Sequence, residues 1–429
     1  MRAHGRSAKS ATQSSRGADI PGSQNGNLQR TAIAVLASVF LFNLLGRGSG
    51  ETYAVFLLPL EREFGWSRSQ LTSVYSVYLL IGGFIAPLVG TLFDRVGPRM
   101  VYLFGLASLG LANLLASTTT TLLEFYLYVG FIVGIGVALV GMVPASGLLV
   151  RWYRARLSTA IGLAFTAAGC GTLVFVPFAQ MMLEGSDWRT TYRIIGITFL
   201  IAAPILAIAL PWQRFAIGHP HFQKSERLNT GQSGWTLRAA SRTPFYRGLA
   251  VMFCMTSMAM FIVMPQSVAY FIDSGFSPVA AATAYGVTSV MSVISVTITG
   301  YLSDRIGPRP VITASYAGTG LGVVLLFLMS FHPVAILLTT YVVVFGLCQG
   351  VRAPIISAMC ARRFAGPRVA TIYGTLYALN AVGAAIGAFM GGLLHDITGG
   401  YRTGFIIALC VLLCSALPIW MVKELRGYR

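Results

Sequence analysis

The sequence predicts an all-α integral membrane protein with twelve transmembrane helices in two six-helix repeats, and with both termini in the cytoplasm. Composition, the spacing of apolar runs and a duplicated motif predict this architecture. The chain has 429 residues, of which 55% are hydrophobic and only 10% are charged, whereas a soluble domain carries roughly 25% charged residues. Because one aqueous core cannot bury so much apolar surface, we expect lipid to surround the chain.

Apolar runs long enough to cross a bilayer, about 20 residues each, recur twelve times along the chain. The predicted spans are 31–59, 69–92, 100–118, 122–150, 157–183, 190–212, 247–272, 278–302, 310–330, 333–361, 368–394 and 402–422. They form an N-terminal bundle, 31–212, and a C-terminal bundle, 247–422. The polar, basic stretch 213–246 is predicted to be a cytoplasmic linker. We predict that 1–30 is a disordered cytoplasmic tail without a cleaved signal peptide, and that 423–429 is a second cytoplasmic tail.

The basic residues predict the orientation in the membrane. Most of the 31 lysines and arginines fall in the tails and loops of one side, which is the cytoplasmic side by the positive-inside rule. The loops of the other side hold Arg62, Arg68, Arg189, Arg193 and Arg402. The net charge of +18 is spread in short clusters between apolar runs. We therefore expect the lipid bilayer, and not nucleic acid, as the partner of this charge.

The two halves of the chain repeat each other. The segment "GTLFDRVGPRM" begins at Gly90, and "GYLSDRIGPRP" begins 210 residues later at Gly300. Each copy follows the second span of its half on the predicted inner side. Two related bundles joined by a cytoplasmic loop are typical of a transporter whose site lies between the halves near the midplane.

The repeated loop has a physical role that its residues suggest. Its glycines permit a tight turn, and its aspartates are placed to pair with arginines or with a helix N-terminus. Such contacts break when two halves rock, so we predict a gating role; an orientation and turn signal alone is the alternative. The predicted gating residues are Asp94, Arg95, Gly97, Arg99, Asp304, Arg305, Gly307 and Arg309.

Both copies of the loop resemble the signature of the major facilitator superfamily. Two further segments, "RWYRARLSTAIGLAFTAAGCG" from Arg151 and "TYAVFLLPLEREFGWSRSQLTSVYS" from Thr52, resemble the monocarboxylate porters and the related oxalate:formate antiporters. The resemblance implies the major facilitator fold and the uptake or exchange of small organic anions, often with a proton. It also implies a cationic residue in span eight or eleven, and neither span has a charge at mid-depth here.

Three ionisable residues fall at bilayer depth instead. Arg47 and Glu51 lie in span one, four residues apart and so on one helix face. Arg352 lies in span ten, about 15 Å from the inner end marked by Arg362 at 1.5 Å per residue. Charged groups are costly at this depth unless they are paired or hydrated. We therefore expect all three to face an interior cavity.

Glu51 has three possible roles on the sequence alone. It neutralises Arg47 and holds span one in register, or it lines the path as the proton carrier, or a tilt of the helix places it in the outer vestibule. The flanking glycines Gly46, Gly48 and Gly50 predict either a broken helix or close helix packing.

Arg352 has no carboxylate on its own helix. We predict that it binds a substrate carboxylate through a two-pronged contact, and a structural ion pair across the halves is the alternative. Polar side chains on neighbouring spans are candidates to complete the pocket, although each alone is also compatible with packing. The predicted substrate-binding residues are Arg47, Tyr75, Gln266, Tyr270, Arg352, Tyr377 and Asn380, with Glu51 as the proton-coupling residue.

The predicted function is secondary active transport of a small organic anion across the inner membrane of a bacterium, by alternating access and with H⁺ as a second partner. The functional unit is expected to be a monomer. The sequence shows no nucleophile–base–acid set, no metal-ligand spacing and no phosphate loop, so we expect no enzyme activity, no cofactor and no metal. A proton-driven drug or cation exporter that uses Glu51 is one alternative. A membrane sensor that binds without transporting is the other.

Overall fold

The computed structural model describes residues 22–153, 157–218, 235–364 and 369–426, and all regular structure within them is helical. The predicted tail lies outside these residues up to position 21, and so do 219–234 of the predicted linker and 427–429 of the C-terminal tail. The helices of the first half are α1 (Gly22–Glu51), α2 (Tyr53–Phe64), α3 (Arg68–Ala116), α4 (Leu122–Phe125), α5 (Val133–Val140), α6 (Met142–Trp152), α7 (Leu157–Gly185), α8 (Trp188–Ala209) and α9 (Trp212–Ile217). Those of the second half are α10 (Leu237–Ser241), α11 (Pro244–Val263), α12 (Ser267–Asp273), α13 (Pro278–Ile306), α14 (Pro308–Met329), α15 (Ala335–Gln349), α16 (Arg352–Arg363), α17 (Val369–Thr398), α18 (Arg402–Met421) and α19 (Lys423–Arg426).

Eleven helical segments of the described chain are long and apolar enough to cross a membrane. The chain is thus a multi-pass membrane protein. The two spans predicted at 69–92 and 100–118 lie in one continuous run, α3, of 49 residues. Gly97 interrupts its helical geometry with φ 80° and ψ 169°, and Pro98 follows. A positive φ strains any residue with a Cβ, so the glycine of the repeated motif is where this run can turn.

The second copy of the motif makes the same turn. Gly307 has φ 87° and ψ 159° and separates α13 from α14, with Pro308 as the next residue. The predicted tight turns are therefore present in both halves. They mark one end of the molecule, which we call the Gly97 end; the opposite end, where α3 begins, is the Arg68 end.

Spans four and ten are interrupted at equivalent places, which the sequence analysis did not predict. The run 122–150 contains a π-helical segment at Tyr126–Ile132. Further along the same run, Gly141, with φ −82° and ψ −158°, separates α5 from α6. In the second half, Gly350 and Val351 separate α15 from α16. The next residues, Met142 and Arg352, are 210 positions apart, so the repeat extends to these breaks.

The two halves meet along α3 and α17, and the contact is closest near the Arg68 end. A Cβ on Gly392 would clash with Thr72, and one on Gly83 would lie 2.5 Å from the Cβ of Ala381. One turn further toward the Gly97 end, Pro87 and Tyr377 are both accessible. The two helices therefore touch at the Arg68 end and separate toward the Gly97 end.

A second contact between the halves, between α7 and α13, follows the same course. A Cβ on Gly286 would lie 2.8 Å from the Cα of Leu173, and one on Gly169 would lie 2.7 Å from the carbonyl of Ser289. Toward the Gly97 end, a Cβ on Gly162 would meet no atom within 4 Å. Both contacts thus open in the same direction, and the structure is closed at the Arg68 end.

The glycines of span one serve close packing. Helix α1 continues through them to Glu51, and Thr52, with φ −60° and ψ −20°, only slightly offsets α2. A Cβ on Gly48 would lie 2.5 Å from the ring of Phe175, and one on Gly50 would lie 2.5 Å from the hydroxyl of Tyr78. Of the two predictions for these glycines, the broken helix is wrong and close packing is what the structure shows.

Candidate functional site

Arg47 and Glu51 form an ion pair on the last turns of α1. The Nη2 atom of Arg47 lies 2.9 Å from Oε1 of Glu51, as their spacing of four residues allows. The other terminal nitrogen, Nη1, lies 3.5 Å from the hydroxyl of Tyr78 on α3. The pair fixes one carboxylate oxygen of Glu51 and leaves the second oxygen for other donors.

That second oxygen, Oε2, accepts two hydroxyl hydrogen bonds. Tyr75 on α3 donates at 3.1 Å, and Tyr285 on α13 donates at 2.8 Å. Helix α3 belongs to the same half as Glu51, whereas α13 belongs to the other half. The ion pair and the two hydroxyl hydrogen bonds thus replace the hydration that the Glu51 side chain loses on burial.

Exposure differs sharply within this group. The Arg47 side chain is 38% exposed, whereas that of Glu51 is 8% exposed. Arg47 lies one turn nearer the Gly97 end, where the halves separate, and Tyr377 of α17 is within electrostatic range of it while 46% exposed itself. The guanidinium therefore faces the opening between the halves, and the carboxylate is enclosed behind it.

Arg352 sits in a different environment. It begins α16, is 1% exposed, and its guanidinium carbon lies 4.8 Å from the ring centre of Tyr316. Its Nη1 donates to the Oγ of Ser315 at 3.0 Å and to the hydroxyl of Thr319 at 2.9 Å, and its Nη2 lies 3.3 Å from the sulfur of Met260. These contacts all come from the second half.

The charge of Arg352 is not neutralised by an ion pair with any described residue, and its buried Nε has no hydrogen-bond partner there. An arginine keeps its charge in proteins. Together with the Arg47–Glu51 pair, the described ionisable side chains at the predicted bilayer depth carry a formal charge of +1. The interior of the protein is therefore electropositive.

The described hydrogen bonds of the remaining predicted substrate-binding residues stay within the second half. Asn380 accepts a hydrogen bond from Ser257. Tyr270 donates to the carbonyl of Leu326 at 2.7 Å. Gln266 and Tyr270 line a small pocket near the Arg68 end, and the buried Oε1 atom of Gln266 has no hydrogen-bond partner among the described residues. The structure thus brings Arg47, Glu51, Tyr75 and Tyr377 together, and it places Gln266, Tyr270, Asn380 and Arg352 elsewhere.

The described contacts of the predicted gating residues stay within one half. Asp94, largely exposed, lies 3.7 Å from Nη2 of Arg151. Arg309 stacks over the ring of Trp420 at 3.8 Å. Arg95 and Arg99 are exposed, and Arg305 is also on the surface. The side chain of Asp304 lies outside the described residues, and the gating role of all eight stays a prediction.

A buried arginine at the Arg68 end was missed by the sequence analysis, which counted it as an outer-loop charge. Arg68, at the start of α3, is 4% exposed. Its Nε lies 2.5 Å from Glu61, in its own half. Its Nη1 donates to the hydroxyl of Tyr401 at 2.8 Å, and its Nη2 lies 3.4 Å from Asp273. The last two partners belong to the other half, so Arg68 ties the halves together.

Asp396 completes this closure from α17. Its two carboxylate oxygens accept from the backbone N–H groups of Arg68 at 3.0 Å and of Ser69 at 2.7 Å, at the N-terminus of α3, where an anion is favoured. Tyr401 donates to Asp273 at 2.6 Å, and burial raises the pKa of Tyr401, which keeps this donor protonated. We call Glu61, Arg68, Asp273, Asp396 and Tyr401 the closure cluster. The sequence did contain a signal for this cluster: Glu61, Asp273 and Asp396 each lie just beyond the outer end of a predicted span.

No group of three or more His, Cys, Asp or Glu side chains in the described ranges is placed to hold a metal ion. The polar groups at the opening between the halves are the Arg47–Glu51 ion pair and tyrosine hydroxyls, which bind through charge and hydrogen bonds. Such a set can hold a small polar or charged molecule and can exchange a proton, with Glu51 as the acid.

The family model of the Major Facilitator Superfamily matches residues 36–300 and 250–427. The chain belongs to the major facilitator superfamily. The overlap of the two matches fits the duplicated architecture. A protein of this superfamily with this fold is a membrane transporter and not an enzyme.

Curated relatives support the narrower resemblance as well. Monocarboxylate transporter 13 of Rattus norvegicus is 27% identical over 387 residues, which cover 89% of this chain and 86% of the relative. Monocarboxylate transporter 11 of Homo sapiens is 27% identical, and the match covers 89% of this chain and 81% of the relative. An uncharacterized MFS-type transporter of Bacillus subtilis, YcxA, is 22% identical, with coverage of 88% and 91%. The predicted resemblance to the monocarboxylate group is confirmed.

A solved structure shows the same fold. The crystal structure of a bacterial homologue of the human lysosomal transporter Spinster, in an inward-facing and unoccupied conformation, superposes with a TM-score of 0.70. The match covers 92% of this chain and 97% of that chain at 15% sequence identity. At this identity the similarity establishes the fold.

Replacing Asp396 with Asn should loosen the Arg68 end. The amide keeps the shape but loses the charge that holds the N-terminus of α3 from the opposite half. A cysteine at Ser76, a buried position that bonds to the carbonyl of Ala385 across the halves, should then react faster with a membrane-impermeant thiol reagent added from that side, about threefold to tenfold for the loss of one charged contact.

Asp187→Asn is the matched control. Asp187 also caps a helix, accepting from the backbone N–H of Thr190 at 2.6 Å, and that contact lies within the first half. It should leave the labelling rate unchanged. Equal labelling of Asp396→Asn and the parent protein would show that Asp396 does not hold the halves together.

Proposed function

We propose that this protein is a secondary active transporter that moves a small organic anion of the monocarboxylate type across the inner membrane of a bacterium. It works by alternating access, is coupled to H⁺, and functions as a monomer. The observation that supports this proposal most directly is the Arg47–Glu51 pair. It places a cation at the opening between the halves and bonds it to a buried carboxylate that can take up a proton.

The proposed topology has twelve crossings with both termini in the cytoplasm. Helix α3 would measure about 73 Å if straight, more than twice the ~30 Å hydrocarbon thickness, and Gly97 offers the turn between two crossings. The bundles are then 31–212 and 247–422, joined by a cytoplasmic linker. The basic loops assign the Gly97 end to the cytoplasm, so the structure corresponds to an inward-open state.

The charge balance supports an anion as substrate. With a formal charge of +1 summed over Arg47, Glu51 and Arg352, a monocarboxylate neutralises the interior, whereas a cationic drug adds to the repulsion. Attraction between charges is stronger inside a membrane protein than in water, because the dielectric constant is lower. A proton-driven exporter of cations would need Glu51 free of Arg47, and the two are paired here.

Coupling to H⁺ would follow from competition for Arg47. A substrate carboxylate and the ionised Glu51 would compete for the same guanidinium, because the single positive charge of Arg47 is neutralised by one carboxylate at a time. Protonation of Glu51 removes its charge and releases Arg47 for the substrate. Anion and proton would thus bind together and leave together. The intact Arg47–Glu51 pair would be the state after both have left.

Arg352 is proposed to act on the substrate from a distance. Its guanidinium is enclosed by Ser315, Thr319 and Tyr316, so its charge rather than a direct contact would attract the anion in this conformation. The two named monocarboxylate transporters among the relatives support the substrate class, and each aligns over 89% of this chain.

Transport in proteoliposomes tests the function. Purified protein should accumulate lactate, pyruvate or another labelled monocarboxylate when the outside is acidic, and cationic drugs should not accumulate. Glu51→Gln should keep exchange of internal for external anion but lose accumulation driven by the proton gradient, because the amide cannot carry a proton. Binding of a carboxylate without flux would indicate a sensor. Unchanged proton-driven accumulation in Glu51→Gln would remove Glu51 as the carrier.

Arg47→Gln should abolish carboxylate uptake, and Arg352→Gln should weaken it without abolishing it. The first variant removes the contact group, whereas the second removes one positive charge from the interior. Arg62→Gln, at an exposed arginine of α2, is the control for general loss of charge and should transport normally. Melting temperature and membrane insertion verify folding. Normal uptake by Arg47→Gln would contradict the proposed site.

A further inference from the structure

We propose that Tyr285 is a positioning residue that makes the proton affinity of Glu51 depend on the conformation of the transporter. Its hydroxyl stabilises ionised Glu51 only while the Arg68 end is closed. This inference rests on the proposed function, because it names the residue that would link the proton carrier to alternating access.

The two tyrosines that donate to Glu51 differ in the half of the protein to which they belong. Tyr75 and Tyr285 both donate to the Oε2 atom of Glu51, at 3.1 Å and 2.8 Å, and both are buried. Tyr75 belongs to α3, in the same half as Glu51. Tyr285 belongs to α13, in the other half. A movement between the halves therefore changes the second bond and leaves the first intact.

The other charged or titratable groups around Glu51 come from few elements. Arg47 lies on its own helix, Tyr78 lies on α3 beside Arg47, and Tyr377 faces Arg47 from α17. The helices packed against the other faces of α1 contribute apolar groups, Phe175 from α7 against Gly48 and Val140 from α5 against Gly46. Tyr285 is the hydrogen-bond donor to Glu51 that the second half supplies in the described structure.

Opening of the Arg68 end should break the Tyr285 bond. The closure cluster holds the halves together at this end, and Tyr285 lies about 10 Å inside it, seven residues after the start of α13, at 1.5 Å per residue. A hydroxyl hydrogen bond weakens beyond about 3.0 Å. A separation of the halves by a few ångströms thus removes it, while Tyr75 and Arg47 stay with Glu51.

Loss of this bond raises the proton affinity of Glu51, because hydrogen bonds donated to a carboxylate favour its ionised form. The affinity is then higher when the Arg68 end is open and lower when it is closed. By linkage, protonation favours opening by the same factor. A proton would be captured from the Arg68 side and released toward the Gly97 end, which is the direction of proton-driven import.

One hydrogen bond to a charged group changes proton affinity about tenfold, or roughly one pH unit. The ratio of open to closed molecules at the Arg68 end should therefore change about tenfold between a pH well above and a pH well below the titration of Glu51. This response needs only protons and no substrate.

Distances between two spin labels measure this ratio in the full-length protein. Labels on cysteines at Ser186 and Thr398, exposed positions of the two halves at the Arg68 end, report its opening once the six native cysteines are replaced. In the otherwise unchanged protein, the long-distance population should increase as the pH falls. Tyr285→Phe should flatten this pH response, because the proton affinity of Glu51 then no longer differs between the two conformations.

Tyr75→Phe is the matched control. It removes a donor that stays with Glu51 in both conformations, so the tenfold response should remain and its midpoint should move to higher pH by roughly one unit. Glu51→Gln should abolish the response altogether. If it persists in Glu51→Gln, another group, such as Asp396 or His395 at the closure cluster, drives opening, and the proposal is wrong.

A full pH response in Tyr285→Phe, or the same flattening in Tyr75→Phe, would also overturn the inference, and so would a pH-independent distance distribution in the parent protein. None of these results bears on whether the protein carries a carboxylate, which the flux assay decides separately. Should Tyr285→Phe fold poorly, Tyr285→Leu also removes the phenolic donor, leaves an apolar side chain in place and serves as the second variant.

Discussion

A carboxylate enclosed at bilayer depth must be compensated, and the compensation of Glu51 shapes the rest of this structure. An ionised group removed from water costs several kcal/mol unless charge and hydrogen bonds replace its hydration. Here the replacements come from three directions: Arg47 on the same helix, Tyr75 on the neighbouring helix, and Tyr285 across the boundary between the halves. The carboxylate is therefore fully compensated only while the halves are closed over it.

The closure itself uses groups that can return to water. Arg68, Asp273, Asp396 and Tyr401 lie at helix ends, where hydration replaces their contacts once the halves part. The acidic partners of Arg68 are partly exposed, so water can replace these contacts when the halves separate in the proposed transport cycle. The close contacts beneath it involve small residues such as Gly83 and Gly392, which let α3 and α17 approach closely without interlocking large side chains.

Much of the fold was predictable because it follows from local properties. Run length and hydropathy locate the spans, and the repeated glycine turns appear at Gly97 and Gly307 as the motif predicts. The breaks before Met142 and Arg352 were not predicted, although each lies between a glycine (Gly141, Gly350) and a proline (Pro144, Pro354), residue types that interrupt helices. The positive φ of Gly97 and Gly307, by contrast, was predictable, because a glycine in a turn motif is typical of this backbone conformation.

Within the candidate site, the sequence predicts only those contacts that join residues close together in the chain. Arg47 and Glu51 are one turn apart on one helix, so their pairing follows from spacing. The contact of Arg68 with Asp273 and Asp396 joins positions more than 200 residues apart, which depends on how the halves dock. Docking also decides the surroundings of Gln266 and Tyr270. Their spacing predicts that they share a helix face, but it does not predict that this face points into the second half. Arg352 was expected to face a cavity between the halves, and its burial within one bundle was not foreseen.

The most direct measurement is proton uptake when an anion binds to purified protein in weakly buffered solution. If a substrate carboxylate displaces Glu51 from Arg47, the protein should absorb close to one proton per anion bound at a pH where Glu51 starts ionised. In Glu51→Gln, the anion should bind without proton uptake. Saturating binding of a carboxylate to the parent protein with no proton absorbed would contradict the account.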